Sequence, residues 1–229
     1  MVNSQDEALA RSAVYELISM AFLYPDGESA AKVVDATSAV SPLASSMGWG
    51  QMEQALDDLG QRAGRLTEEA LLEEHTQVFG HIISPDCPPY EAEYGQAHVF
   101  QKSHTMADLN AFYDAFGVAA NPEQKDRADH ISAEMEFMHL LTLKEAYAWR
   151  ETDGGEKVGI CRRAQESFLN NHLVTWIDSF AERLLLKADD DGVYASLGKL
   201  LGTHMRREFE MFRITTSPVE PVELIETND

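Results

Sequence analysis

The chain has two cysteines in 229 residues, Cys87 and Cys161, and no C-x-x-C pair. That scarcity excludes a disulfide framework and a paired-cysteine zinc site, and it fits a reducing compartment. Long apolar runs are also missing, for no stretch approaches the roughly 18 uncharged apolar residues of a membrane span. The opening MVNSQDEALARSAVYELISM is acidic and interrupted where a secretory signal is basic and then apolar. The two Arg-Arg pairs, Arg162-Arg163 and Arg206-Arg207, fall inside helical pattern and do not read as export signals. The chain is therefore expected to lack a leader of its own and to work in the cytoplasm without stable membrane insertion. Basic residues are few as well: 18 Lys and Arg stand against 39 Asp and Glu, a net charge of −21. Such a field repels nucleic-acid phosphates and anionic lipid surfaces and draws in a basic peptide or protein. No glycine-rich phosphate loop, G-x-S-x-G or H-E-x-x-H motif occurs, so nucleotide chemistry and the common hydrolytic machineries have no support.

What remains is helical. Ser4 and Glu7 form a capping box before Leu9, Ala13, Leu17 and Met20, which predicts a first helix to about Phe22, ended by YPDG at 24–27. A second helix is expected from about Glu28 to just before Pro42, and a third over about Gln51 to Ala63. Thr67 caps a fourth, with Leu71, Leu72, His75, Val78 and Phe79 on its stripe and Gly80 beyond its end. From His81 to about Ser103 the pattern stops, and a break of that length is more often functional than incidental. It resumes with a Thr105/Asp108 capping box, the Leu109, Phe112 and Phe116 stripe, and Gly117 as a C-cap. Asn121-Pro122 reads as the cap of a long helix whose Ile131, Met135, Phe137, Met138, Leu140 and Leu141 face a core. After ETDGGEK at 151–157, two more helices are expected, one through Trp176, Phe180 and Leu184 and one carrying Leu197 to Phe212, separated by DDDG at 189–192. No β alternation or fixed repeat is visible. The expected fold is all-α, a single helical bundle of about 8–10 helices, in one body or in two sub-bundles joined by a hinge, over residues 1–214, with an acidic, mobile tail at 215–229.

Three groups of residues suggest chemistry. Glu136 and His139 form an E-x-x-H pair as in di-iron bundles, but no second pair exists, so a small helical metal-binding protein or enzyme using them stands as the alternative reading. His81, Cys87, His98 and His104 offer zinc donors at a spacing that matches no compact zinc pattern. Cys87 has no Lys or Arg near it in sequence to activate its thiol. In DHISAEMEF, Asp129 suits a helix N-terminus, and His130 and Glu134 sit at i, i+4, where imidazole and carboxylate can share a face.

The most unusual stretch is SPDCPPYEAEYG at 84–95, two adjacent prolines with two tyrosine-carboxylate pairs in a helical protein. The order EEHTQVFGHIISPDCPPYEAEYG, MADLNAFYDAFGV and RADHISAEMEFMHLL resembles the TorD/DmsD/NarJ family of cytoplasmic chaperones for molybdenum oxidoreductases. The matching elements are Phe79; Pro88, Pro89, Tyr90, Glu91 and Tyr94; Tyr113 and Gly117; and Asp129, His130, Glu134, Met135, Phe137 and Met138, across about residues 73 to 141. Ala92 departs from the small hydroxyl residue of many relatives. The resemblance implies a non-enzymatic, TorD-like all-helical protein without a cofactor of its own. It would bind the twin-arginine leader or the body of an apo-molybdoenzyme and hold it for molybdopterin cofactor insertion, with weak contact to that cofactor or to guanine nucleotide, as a monomer or a helix-swapped dimer. A receptor for two arginines and an apolar stretch needs carboxylates beside an apolar groove. Glu91, Glu93, Asp129 and Glu134 are candidates for the first, and Tyr90, Tyr94 and Phe137 for the second, with Pro89 and His130 completing the expected peptide-binding set. The loop is expected to pack over the start of the 129–149 helix.

Overall fold

A computed structural model describes residues 4–80, 86–94, 99–118 and 127–215. In these residues the chain forms α1 (Ser4–Ala21), α2 (Ser29–Ser46), α3 (Gly50–Ala63), α4 (Glu68–Phe79), a 3-10 turn (Glu91–Glu93), α5 (Val99–Ala115), α6 (Ile131–Ala148), α7 (Gly155–Phe168), a π turn (Leu169–Leu173), α8 (Val174–Lys187) and α9 (Val193–Phe212). The one β feature among the described residues is an isolated antiparallel bridge between Tyr90 and His130. The fold class is all-α, as the periodicity predicts.

Local chemistry sets several of the boundaries. Thr67 Oγ1 accepts from the Ala70 N–H at 3.2 Å and opens α4, and Gly80 closes it at φ 75°, a conformation that disfavours a side chain. Gly117, at φ 76°, likewise follows α5. The first turn of α9 is capped from a distance, with Glu74 Oε2 accepting from the Val193 N–H at 2.8 Å.

Four expectations need correction. The second helix does not stop before Pro42 but runs through it to Ser46. Pro42 lies on the exposed side, and Ser38, whose carbonyl loses its N–H partner, is exposed too, so that carbonyl is open to hydration while Val40 and Ala44 bury the other side. Helix resumes at Val99 and not at Thr105, so Thr105 and Asp108 lie inside α5. Helix α6 begins at Ile131, with His130 as its N-cap, while the Asn121-Pro122 cap lies outside the described residues. Where two helices are expected after residue 157, three are found, for α7 (Gly155–Phe168) precedes the expected pair and joins α8 through the π turn at Leu169–Leu173, a single-turn insertion that periodicity does not reveal. The tail from residue 216 onward also lies outside the described residues.

Helix α1 packs along α6, α2 on α3, α3 on α9, α6 on α7, and α8 on α9, around one continuous apolar core. Inside it sits a charged knot. The fully buried Arg11 of α1 forks onto Glu208 of α9, with Nε to Oε1 at 2.7 Å and Nη2 to Oε2 at 2.6 Å, and reaches Gln165 at 2.6 Å and Glu145 at 3.3 Å. Tyr15 donates to Glu208 at 2.9 Å, and Arg162 bonds Glu145 from the outside at 2.8 Å. This knot ties α1, α6, α7 and α9 together, and nothing in the sequence separates these charges from surface ones.

Candidate functional site

The Asp86–Tyr94 stretch is strapped to the start of α6 through backbone groups. Glu91 N–H donates to the Asp129 carbonyl at 2.9 Å, and Ile131 N–H to the Pro89 carbonyl at 2.9 Å, which together make the Tyr90–His130 bridge. Ala92 N–H donates to Asp129 Oδ2 at 3.1 Å, and Tyr94 Oη to the Pro88 carbonyl at 2.9 Å. Pro89 has no N–H to satisfy, so a buried loop with two prolines leaves fewer orphan donors to pair. The Tyr90 ring meets the His130 imidazole edge-on at 5.1 Å. His130 Nδ1 accepts from the Ser132 N–H at 3.2 Å, so the histidine serves as the helix cap.

The structure brings the eight predicted residues into one neighbourhood but gives them unequal access. Asp129 and Glu134 are fully buried, Phe137, His130, Glu91 and Pro89 are buried, and Tyr90 and Tyr94 are half-buried. Phe137 packs among Phe112, Tyr113, Phe116 and Phe168, with ring centroids 4.9 to 6.4 Å away, and so belongs to the core. Tyr94 packs against Trp176 and Phe180 and carries the Arg183 guanidinium 4.9 Å from its ring centroid.

Each carboxylate of the site has an internal partner. Asp129 holds Arg127 in a two-pronged pair, Nε to Oδ1 at 2.9 Å and Nη2 to Oδ2 at 2.7 Å. Glu93 takes Arg127 Nη1 at 3.1 Å and Lys102 Nζ at 2.6 Å, and the Lys102 and Arg127 hydrogen bonds hold its carboxyl below the usual range despite partial burial. Glu91 lies 3.1 Å, through both oxygens, from Nδ1 of His172, whose Nε2 is 3.4 Å from Asp108 of α5. Glu134 receives the Trp176 indole N–H at 3.2 Å on Oε2, and among the described residues its Oε1 has no hydrogen-bond partner. Burial foremost, then the neighbouring Glu91 and Asp129 charges, push Glu134 well above the usual carboxyl range, which favours its protonated form.

The sequence pattern did not single out His172, Arg127 or Lys102, and it gave Trp176 only as a helix-stripe residue. His172 sits in the π turn, whose extra residue brings the imidazole to Glu91, 81 positions earlier in the chain. The only advance signal was the run of polar residues Asn170, Asn171 and His172 inside an apolar helix. The reading of Glu136 and His139 as metal ligands gains nothing: Glu136 is exposed, and His139 Nδ1 is engaged by Ser12 Oγ at 3.0 Å. Among the described residues no group of three or more His, Cys, Asp or Glu is placed to hold a metal, while His81 and His98 lie outside those residues. Cys87 does have cations in space, Arg183 and Lys187, which the sequence did not show, yet burial prevails and pushes its thiol up to about 12. No helix is long and apolar enough to cross a membrane among the described residues.

Replacing Glu134 with Gln tests the protonation. The glutamine copies a protonated carboxyl and keeps an oxygen for Trp176. Because the folded pKa of Glu134 is raised, the wild type loses stability as pH climbs above the unfolded carboxyl value of about 4.5. Glu134→Gln is therefore expected to match the wild type below that pH and to exceed it increasingly toward pH 8 in denaturant titrations. A constant difference across the range refutes the buried proton.

The description "Nitrate reductase delta subunit" names the family model that matches residues 44–182, which include the loop, the start of α6 and the π turn. The chain belongs to this family. A perchlorate reductase assembly chaperone from Dechloromonas aromatica is 31% identical, over 77% of this chain and 79% of the relative. A chlorate reductase assembly chaperone from Ideonella dechloratans is 32% identical over 44% of this chain and 52% of the relative. The TorD chaperone of Photobacterium profundum is 32% identical over 58% and 61%. Membership in this delta-subunit family, with TorD among the similar proteins, agrees with the resemblance carried by the loop and the DHISAEMEF helix.

Proposed function

We propose that this chain is a system-specific assembly chaperone for a molybdenum-containing reductase, and not an enzyme. It holds the apo-catalytic subunit, by its twin-arginine leader or its body, until the molybdopterin cofactor is inserted, and does so in the cytoplasm before export or assembly. The observation that carries this reading is the strapped loop: Tyr90, Glu93 and Asp129 form an acid-aromatic cradle that already accommodates a guanidinium. A planar cation over a ring and against two carboxylates is what arginine recognition requires, and a lysine satisfies it less well. The names of the relatives agree with the reading, and the net charge of −21 favours a basic client segment.

Titration of a peptide with two arginines and an apolar run, against its Lys-Lys counterpart, tests it. Wild type is expected to prefer the Arg-Arg peptide by about tenfold, or ~1.4 kcal/mol, and Asp129→Asn to abolish the preference. Equal affinity of both peptides for both proteins overturns the leader-binding reading.

A further inference from the structure

We infer that Arg127 and Lys102 are internal stand-ins for the basic pair of a client segment, and that a client docks by exchanging with them. The inference rests on the peptide-binding reading above. Arg127 makes the contacts a guest arginine would seek: a two-pronged bond to Asp129, a third bond to Glu93, and its guanidinium carbon 4.5 Å from the centroid of the Tyr90 ring. Lys102 takes the remaining Glu93 oxygen. All four carboxylate oxygens of Asp129 and Glu93 thus meet a cation from this chain, two negative charges against two positive.

Access decides between addition and exchange. The Asp129 side chain is 0% exposed beneath Arg127, so a guest guanidinium reaches it only by taking the place of Arg127. The Arg127 and Lys102 side chains are 35% and 41% exposed, so both have a path outward to water. The loop is also strapped by bonds in which neither cation takes part: the Glu91-to-Asp129 and Ile131-to-Pro89 backbone bonds and the Ala92-to-Asp129 bond.

Exchange has a functional consequence. A guest arginine gains what Arg127 gives up, so the acid cradle confers discrimination between side chains while net affinity stays low. That suits a holder that must let its client go. The apparent affinity is lowered by the fraction of time the cradle is vacated, and removing the stand-in lifts that penalty.

The test titrates the Arg-Arg peptide into wild type, Arg127→Gln, Arg127→Lys and Lys102→Gln, with thermal melting as a check on folding. Arg127→Gln is expected to bind about tenfold tighter than wild type, with Arg127→Lys between them, because an ammonium keeps the charge but not the fork. Equal or weaker binding by a folded Arg127→Gln overturns the inference. Should that variant fail to fold, Lys102→Gln decides in the same way, tighter binding supporting exchange and unchanged binding refuting it. A wild type that prefers Arg-Arg through Asp129, beside an Arg127→Gln that gains nothing, sinks the stand-in alone. No preference for the Arg-Arg over the Lys-Lys peptide in the wild type sinks the leader-binding reading, and the stand-in inference with it.

Discussion

Arg11→Ala is expected to cost about 3–5 kcal/mol of folding free energy, because it leaves the buried Glu208 without its counter-charge. For a chain of this size that is a fall of roughly 6–20 °C in melting temperature, measurable by calorimetry or circular dichroism. Replacing Arg11 with Met and Glu208 with Leu together is expected to recover most of the loss, since an apolar pair removes both desolvation costs. A single variant within ~1 kcal/mol of wild type would show that the knot is not the closure of the bundle.

The same knot and its neighbour His204 are expected to make the fold acid-sensitive. Burial opposes the ionisation of Glu208, but the charge and hydrogen bonds of Arg11 prevail and hold it at about 2, from 4.5. Burial, aided by Arg11 and Arg207, lowers His204 from 6.5 to about 4, where its ring stands edge-on to Tyr15. Both folded pKa values are depressed, so the unfolded chain binds protons more readily. Stability is expected to fall as pH drops from 6.5 to 4 through His204 and from 4.5 to 2 through Glu208. In Arg11→Ala the Glu208 part is expected to reverse, with the deficit shrinking on acidification as the orphaned carboxyl takes a proton.

Phe137→Ala is expected to cost about 3–5 kcal/mol, the range for emptying an aromatic site in a packed core. Phe137 is 2% exposed and touches four aromatic rings, one of them Tyr113, whose hydroxyl donates to the Ala128 carbonyl at 2.7 Å just before Asp129. Any loss of peptide binding in this variant should therefore track the loss of stability. Phe137→Leu, which restores much of the volume, should recover both. Abolished binding in a Phe137→Ala protein that melts like wild type would return Phe137 to a contact surface.

Much of the architecture was legible because helices are local. The Thr67 cap, the Gly80 and Gly117 ends and the apolar stripes each depend on residues three or four apart, and they appear where the pattern places them. The errors fell where a local rule met a distant partner. Pro42 is tolerated because its side of α2 faces water, and the π turn matters because it delivers His172 to Glu91.

The sequence by itself determined an all-helical chain, strongly acidic, interrupted by a proline-tyrosine loop unlike its surroundings. It could list Glu91, Glu93, Asp129 and Glu134 but could not rank them, since a charge is defined by its solvent and its counter-ion, and both are set only when remote segments meet. Tertiary structure decided that Arg11 closes on Glu208 across 197 positions, that burial pushes Glu134 well above the usual carboxyl range, and that Asp129 is buried under Arg127. Cys87, conspicuous in the sequence, is a buried thiol in the core. The carboxylates Glu93 and Asp129, listed by the sequence as candidates for a client's arginines, are already met by the chain's own Arg127 and Lys102.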